Sequence, residues 1–346
     1  MRLHHTFIAL PLIAAPFAFA SVQDESPDAK PVQEPARVEV ADPMASFARM
    51  VPGEWWVTFE SGASQFDTWH WGPGQHSIRE VNHGSDAVGN VWGQVVYWHP
   101  GRKQVCLLGV GSYARGVFEG TIQFEGETAT GVFDLYQTSG LRKLGLRWAF
   151  DGPDKYRDTL LEVTGPDGLQ PMNGWERVRS KTLTAMRPPP KAPKPSERLK
   201  ALESLPGHTW EAKGDWATGD AFHLQSIFEW VPDIDAIYAR TFAQTKDGEP
   251  IHLLDAYFYH HTGANALRCL ALSNRGGVYE GDVTVLDGGA LQFDLKGYEG
   301  DRVVPHVVRF DFERDGSLRH RVWSLEGIER TLMLDVHHTE LEPKKD

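Results

Sequence analysis

Val51-Pro52-Gly53-Glu54-Trp55-Trp56 returns in the second half of the chain as Leu205-Pro206-Gly207-His208-Thr209-Trp210. Each copy closes a short helix signature and opens a run of strand-like sequence. Before the first copy, Asp42 stands as an N-cap with Pro43 at the first helical position. Before the second, Ser196 caps Glu197-Arg198-Leu199-Lys200-Ala201-Leu202. Downstream the likeness continues in order. Trp56 aligns with Trp210, and Trp69-His70-Trp71-Gly72-Pro73 with Phe228-Glu229-Trp230-Val231-Pro232. His99-Pro100-Gly101 aligns with His261-Thr262-Gly263, and Cys106 with Cys269. Gly116-Val117-Phe118-Glu119-Gly120 aligns with Gly277-Val278-Tyr279-Glu280-Gly281, and Arg147 and Arg157 with Arg309 and Arg319. One such match arises by chance; the ordered series marks an internal repeat.

Within a unit nearly every segment reads as strand. In the second unit the runs lie near 209–213, 222–230, 236–243, 251–260 and 266–272, then 278–286, 290–298, 303–313, 318–325 and 331–339. Turn residues punctuate them, as in Lys246-Asp247-Gly248, Asp287-Gly288-Gly289 and Arg314-Asp315-Gly316. Ala290-Leu291-Gln292-Phe293-Asp294-Leu295 alternates apolar and polar, the pattern of a sheet with one buried face. A meander of this length must close on itself or leave bare edges. The expected fold is therefore all-β: two tandem antiparallel up-and-down β-barrels of about eight to ten strands each, each preceded by a short helix.

Outside the units, residues 1–20 read as a secretory signal. Arg2 supplies the positive start, Phe7 to Phe17 an apolar stretch too short to span a bilayer, and Ala18-Phe19-Ala20 a small-x-small cleavage site. Residues 21–41 read as a flexible leader, 42–180 as the first barrel, 181–196 as a Pro-rich linker and 197–343 as the second barrel. A periplasmic or secreted protein without membrane insertion is expected. The composition, 41% hydrophobic and 24% charged, is that of a globular chain. A net charge of −12, one unit more negative without Arg2, argues against nucleic acid as partner, which demands a basic field. Two cysteines make no disulfide scaffold. Cys106 and Cys269 meet only if the barrels pack by a pseudo-twofold at that face; otherwise they are buried thiols.

A short helix, a Gly-x-Trp opening strand (Gly53-Glu54-Trp55) and a long meander make each unit resemble the lipocalin-like (calycin) barrels, in particular a secreted bacterial domain of that type. More distantly each is similar to nitrobindin-type ten-stranded haem barrels, without their Gly-rich opening. The second unit carries its Trp one position later, in Gly207-His208-Thr209-Trp210. The resemblance implies that the Trp closes one barrel end beneath an Arg from a late strand. Arg147 or Arg157, and Arg309 or Arg319, are the candidates. It also implies a small, mainly apolar ligand held inside the barrel.

Several residues carry two readings. Trp69 and Trp71 share one face of a strand, with Trp230 recurring in the second unit, as a ligand wall or as packing. His99 and His261 each end a strand before a glycine turn, as backbone-bonded rim residues or as ligand or acid–base groups. Glu119 and Glu280 are buried carboxylates that orient a ligand, or outward residues beside a bulge. With Arg147 and Arg309 these form the candidate ligand-binding set. No catalytic residue, metal ligand or cofactor is assigned: the chain has no His-Glu-x-x-His, Cys-x-x-Cys or Gly-x-Ser-x-Gly. The adjacent pairs His260-His261 and His337-His338 point to opposite faces of a strand.

The expected function is non-catalytic binding of a small apolar or aromatic molecule. Two alternatives stand beside it. One is a barrel enzyme of decarboxylase or cyclase type. The other is a solid-barrel interaction module with an envelope protein as partner.

Overall fold

The computed structural model describes residues 42–59, 62, 64–84, 92–112, 115–165, 168–180, 196–216, 219–231, 234–245, 248–327 and 329–341. Residues 1–20, read above as a signal, residues 21–41, read as a leader, and all of the expected linker but Ser196 lie outside the described residues. Among the described residues no helix is long and apolar enough to cross a membrane.

The first barrel runs through β1 (Gly53–Thr58), β2 (Ser64–Trp71), β3 (Ser77–Gly84), β4 (Trp92–His99), β5 (Gln104–Gly111), β6 (Val117–Glu125), β7 (Thr128–Gln137), β8 (Gly140–Phe150), β9 (Lys155–Val163) and β10 (Leu169–Arg179). The second runs through β11 (Thr209–Asp215), β12 (Ala221–Trp230), β13 (Ala236–Ala243), β14 (Ile251–His261), β15 (Ala266–Ser273), β16 (Val278–Val285), β17 (Leu291–Glu299), β18 (Arg302–Phe312), β19 (Leu318–Glu326) and β20 (Glu329–Glu340). Every neighbour pair is antiparallel, and β1 with β10 and β11 with β20 close the two sheets. Closure removes every edge, and the plan is calycin-like.

A short 3₁₀ segment plugs one end of each barrel, Ala45–Met50 in the first and Glu197–Leu202 in the second. The short helices read from the sequence are thus 3₁₀ segments of six residues each. Asp42 Oδ1 accepts from the Met44 N–H at 2.9 Å but does not cap the segment, whose N-cap is Met44. Ser196 caps as expected, accepting from the Arg198 N–H. Met44, Phe47 and Met50 beneath one barrel, and Leu199, Leu202 and Leu205 beneath the other, are fully buried. Each such side chain contributes about 1.5–3 kcal/mol.

Register corrects the repeat at two places. Trp55, not Trp56, is the equivalent of Trp210. Trp55 lies opposite Asp67 and Trp210 opposite Ser226, and both partners precede the aligned aromatic pair by two residues. Trp55 is the closing residue. Its Nε1 donates to the Met50 carbonyl, and the guanidinium of Arg179 on β10 lies 4.3 Å over its ring. The family-implied arginine is therefore Arg179, and neither Arg147 nor Arg157. At the other place, Gly120 pairs with Leu107 and Gly281 with Cys269, so Cys269 corresponds to Leu107. Cys269 faces the second lumen, whereas Cys106 faces the other barrel. Both thiols are free and buried.

The barrels meet through their outer faces. Val95, Tyr97, Cys106, Leu108, Val110 and Val117 of the first pack with Ile234, Ala236, Tyr238, Tyr257, Tyr259, Leu270, Leu272 and Val278 of the second in one buried cluster. Strand β5 is consequently buried on both faces and reads as an unbroken apolar run, Val105-Cys106-Leu107-Leu108-Gly109-Val110, rather than as an alternation.

Candidate functional site

The first lumen holds a cavity of about 350 Å³. Its wall is aromatic and aliphatic. Trp92 and Phe118 lie 5.2 Å apart between ring centroids, Phe118 and Phe133 4.9 Å apart, and Trp148 faces the same space. Gly109 makes room for this wall: a Cβ there would meet the Phe118 ring at 1.9 Å.

Toward the plugged end the lining becomes charged. Arg177, on β10, points inward among Asp67 of β2, Glu80 of β3 and Asp158 of β9. Its Nη1 pairs with Asp67 and stands 3.9 Å from Glu80 Oε1, and its Nη2 donates to Asp158 Oδ2 at 3.1 Å. Two amides complete the floor: Gln65 Nε2 donates to Asp67 Oδ1 at 2.9 Å and Gln94 Nε2 to Glu80 Oε2 at 2.5 Å. Asp67 is 0% and Glu80 4% exposed, so water does not compensate these charges. Burial, then the neighbouring Asp158 charge, pushes the Glu80 carboxyl up to about 8. Burial pushes Asp158 up to about 7, against a lowering hydrogen bond from the Trp148 indole. Asn82 Oδ1 and Arg177 Nε are buried without a hydrogen-bond partner among the described residues.

The second lumen carries a different pair at the same place. Asp158 lies opposite Trp148, and His320 opposite Phe310; Arg177 lies opposite Val57, and His338 opposite Ala212. Asp158 and Arg177 thus become His320 and His338. His320 Nδ1 and His338 Nε2 are 3.3 Å apart, and the outer nitrogen of each ring is buried without a partner. Burial pushes His338 down to about 4 and His320 well below its usual range. Asp67, Glu80 and Gln94 are replaced by Ser226, Ala239 and Ala256, and the space shrinks to about 60 Å³.

Of the sequence candidates, the tryptophans face inward. Trp69 is fully buried 5.6 Å from the Trp148 ring, and Trp71 and Trp230 pack partly buried against the two cores. Arg147 and Arg309 fall in the outward phase of β8 and β18, between Leu146 and Trp148 and between Val308 and Phe310, which line the lumens. Arg309 Nε donates to Asp311 at 2.8 Å. His99, Glu119, His261 and Glu280 come together, but between the barrels. His99 Nε2 is 3.4 Å from Glu280 Oε1, and His261 Nε2 is 3.6 Å from Glu119 Oε2.

The charged floor escaped the motif search because its members stand singly on four strands. A signal exists in the phase of each strand. Asp158 alternates with Tyr156 and Leu160, Glu80 with Ile78, and His320 with Leu318 and Val322. A charged or ring-nitrogen side chain in the apolar phase is an inward polar group.

Among the described residues no group of three or more His, Cys, Asp or Glu is placed to hold a metal ion. No protein-family model and no curated protein matches the chain. Among solved structures, Rv2717c from M. tuberculosis is similar at 14% identity and a TM-score of 0.31, over 43% of this chain and 100% of that one. That likeness bears on neither ligand nor activity.

Proposed function

We propose that the chain holds a small organic molecule with an apolar or aromatic body inside its first barrel. The observation that carries this reading is the 350 Å³ cavity with aromatic walls and a charged floor. Spaces of roughly 300–1,000 Å³ with a few convergent polar groups are the usual form of small-molecule sites. Export to a periplasm or beyond, and kinship with secreted lipocalin-like barrels, belong to the same proposal and rest on residues 1–20 and on the Gly53-Glu54-Trp55 opening.

Native mass spectrometry of the protein purified from its source, together with titration of the full chain by anilinonaphthalene sulfonate, tests the reading. A retained small molecule or saturable probe fluorescence is expected, lost in Leu146→Trp, which fills the cavity from β8. Fluorescence unchanged in that variant, with no retained molecule, overturns it. Cell fractionation tests the export reading.

A second reading has its own observation. Glu80 at about 8 and Asp158 at about 7 line one cavity, the range in which a carboxyl exchanges protons at neutral pH. That suits acid–base chemistry of the decarboxylase or cyclase kind. Turnover of the retained molecule, abolished by Glu80→Gln with binding kept, would favour it.

A further inference from the structure

The floor of the first lumen confines three carboxylates with one guanidinium; the two other arginines that line the cavity, Arg115 before β6 and Arg142 beside the β7–β8 turn, stand at the end away from this floor. Arg177 is shared among Asp67, Glu80 and Asp158, and it can neutralise one of them. Unpaired charge on carboxyls as buried as Asp67 and Glu80 costs several kcal/mol per ion, so the floor carries protons in place of counter-charges. Asn82 Oδ1 adds an acceptor with no partner among the described residues. Directly above the floor stand the rings of Trp92, Phe118, Phe133 and Trp148. Aromatic faces attract a cation through their quadrupole, and carboxylates attract it by charge. The carboxylates add nothing for a neutral hydrocarbon body, which the rings alone would hold.

We propose that the ligand of the first barrel is an organic cation, a protonated amine whose nitrogen docks against Glu80 and Asp158 and whose body stacks among the four aromatic rings. This rests on the binding reading above and adds the chemical class. On binding, the ammonium takes the place of the protons held by the floor. Each carboxyl that ionises gives one proton to the buffer, and no bond of the ligand changes. The second lumen, with Ser226, Ala239 and Ala256 in place of Asp67, Glu80 and Gln94, lacks the carboxylates and is not a site for such a ligand.

Isothermal titration of the full chain near neutral pH with phenethylamine and tryptamine, against phenethyl alcohol and phenylacetate of the same shape, tests the inference. The amines are expected to bind roughly tenfold or more tightly than the alcohol. Heats in two buffers of different ionisation enthalpy should report proton release. Glu80→Gln and Asp158→Asn should each erase most of the margin between amine and alcohol. Should either variant fail to fold, the amine-to-alcohol ratio and the proton release on the natural sequence still decide. Equal affinities for amine and alcohol, or tighter binding of phenylacetate, overturn the inference and leave the binding reading standing. If no compound binds, and anilinonaphthalene sulfonate does not either, both fall.

Discussion

His99 of the first barrel faces Glu280 of the second across the inter-barrel surface, Nε2 to Oε1 at 3.4 Å. His99 Nδ1 accepts the Arg102 N–H at 3.1 Å, so Nε2 carries the ring hydrogen and donates to the carboxylate. The reciprocal pair repeats the arrangement: His261 Nδ1 accepts the Ala264 N–H at 3.0 Å and Nε2 faces Glu119. Tyr298 and Tyr136 flank the two histidines at 4.5 and 4.6 Å. Burial raises the Glu119 and Glu280 carboxyls, but hydrogen bonds and charge from the facing histidines, with Arg102 beside Glu280, leave both below the usual range.

Removing these carboxylates should therefore loosen the barrels from each other rather than unfold either one. Glu119→Ala and Glu280→Ala are each expected to cost about 1–3 kcal/mol. The double variant should split one calorimetric transition into two. Gly263→Val should act alike, since a Cβ there meets the Tyr136 ring at 2.4 Å. A single unshifted transition in all four would mean that the contacts contribute nothing.

The two lumens should answer pH with opposite sign. Glu80 and Asp158 titrate higher in the folded chain, about 8 and 7, than in the unfolded one, where their ordinary values are 4.5 and 3.8. Their stability is full below the unfolded values and is lost as pH rises toward the folded ones. His338 and His306 are both pushed down to about 4 from 6.5, so the second barrel loses stability as pH falls from 6.5 to 4. Chemical denaturation across this range should show Glu80→Gln flattening the alkaline loss. Replacing His320 and His338 together with Leu should flatten the acid loss. Variants whose stability follows pH just as the natural chain does contradict both.

Arg177→Met leaves Asp67, Glu80 and Asp158 with no counter-ion. A cost of about 3–5 kcal/mol is expected at alkaline pH. The cost should shrink on acidification, when the carboxyls hold protons. Urea titrations at the two ends of the range measure it, and a pH-independent loss would argue for lost packing instead.

The thiols should stay silent until the chain opens. Burial pushes Cys106 up to about 11 and Cys269 up to about 12. Ellman's reagent should report no fast-reacting thiol in the folded protein and two after denaturation. Prompt modification of Cys106 would show that the barrels part in solution.

Much of this architecture could be read from the chain. The strands of the second unit match the expected runs to within a few residues because turn residues and alternation mark each boundary. The inter-barrel surface left a trace as well, in the unbroken apolar run of β5. What the eye misjudged was phase. Trp56 and Cys106 are paired by likeness of residue with Trp210 and Cys269, yet a shift of one residue turns a side chain to the opposite face. The floor was harder still. Asp67, Glu80, Asp158 and Arg177 lie far apart along the chain, and only barrel closure brings β2 and β3 round to β9 and β10.

The reciprocity of His99 with Glu280 and His261 with Glu119 gives the chain the plan of a symmetric dimer made from one gene product. Each barrel carries both halves of the contact, and because one chain carries both barrels their association does not depend on concentration. Fusion also lifts a constraint. In a dimer of identical chains every substitution inside a lumen appears twice. Here one lumen could keep an acid–guanidinium pair while its twin acquired two histidines, and the surface that joins them stayed paired throughout.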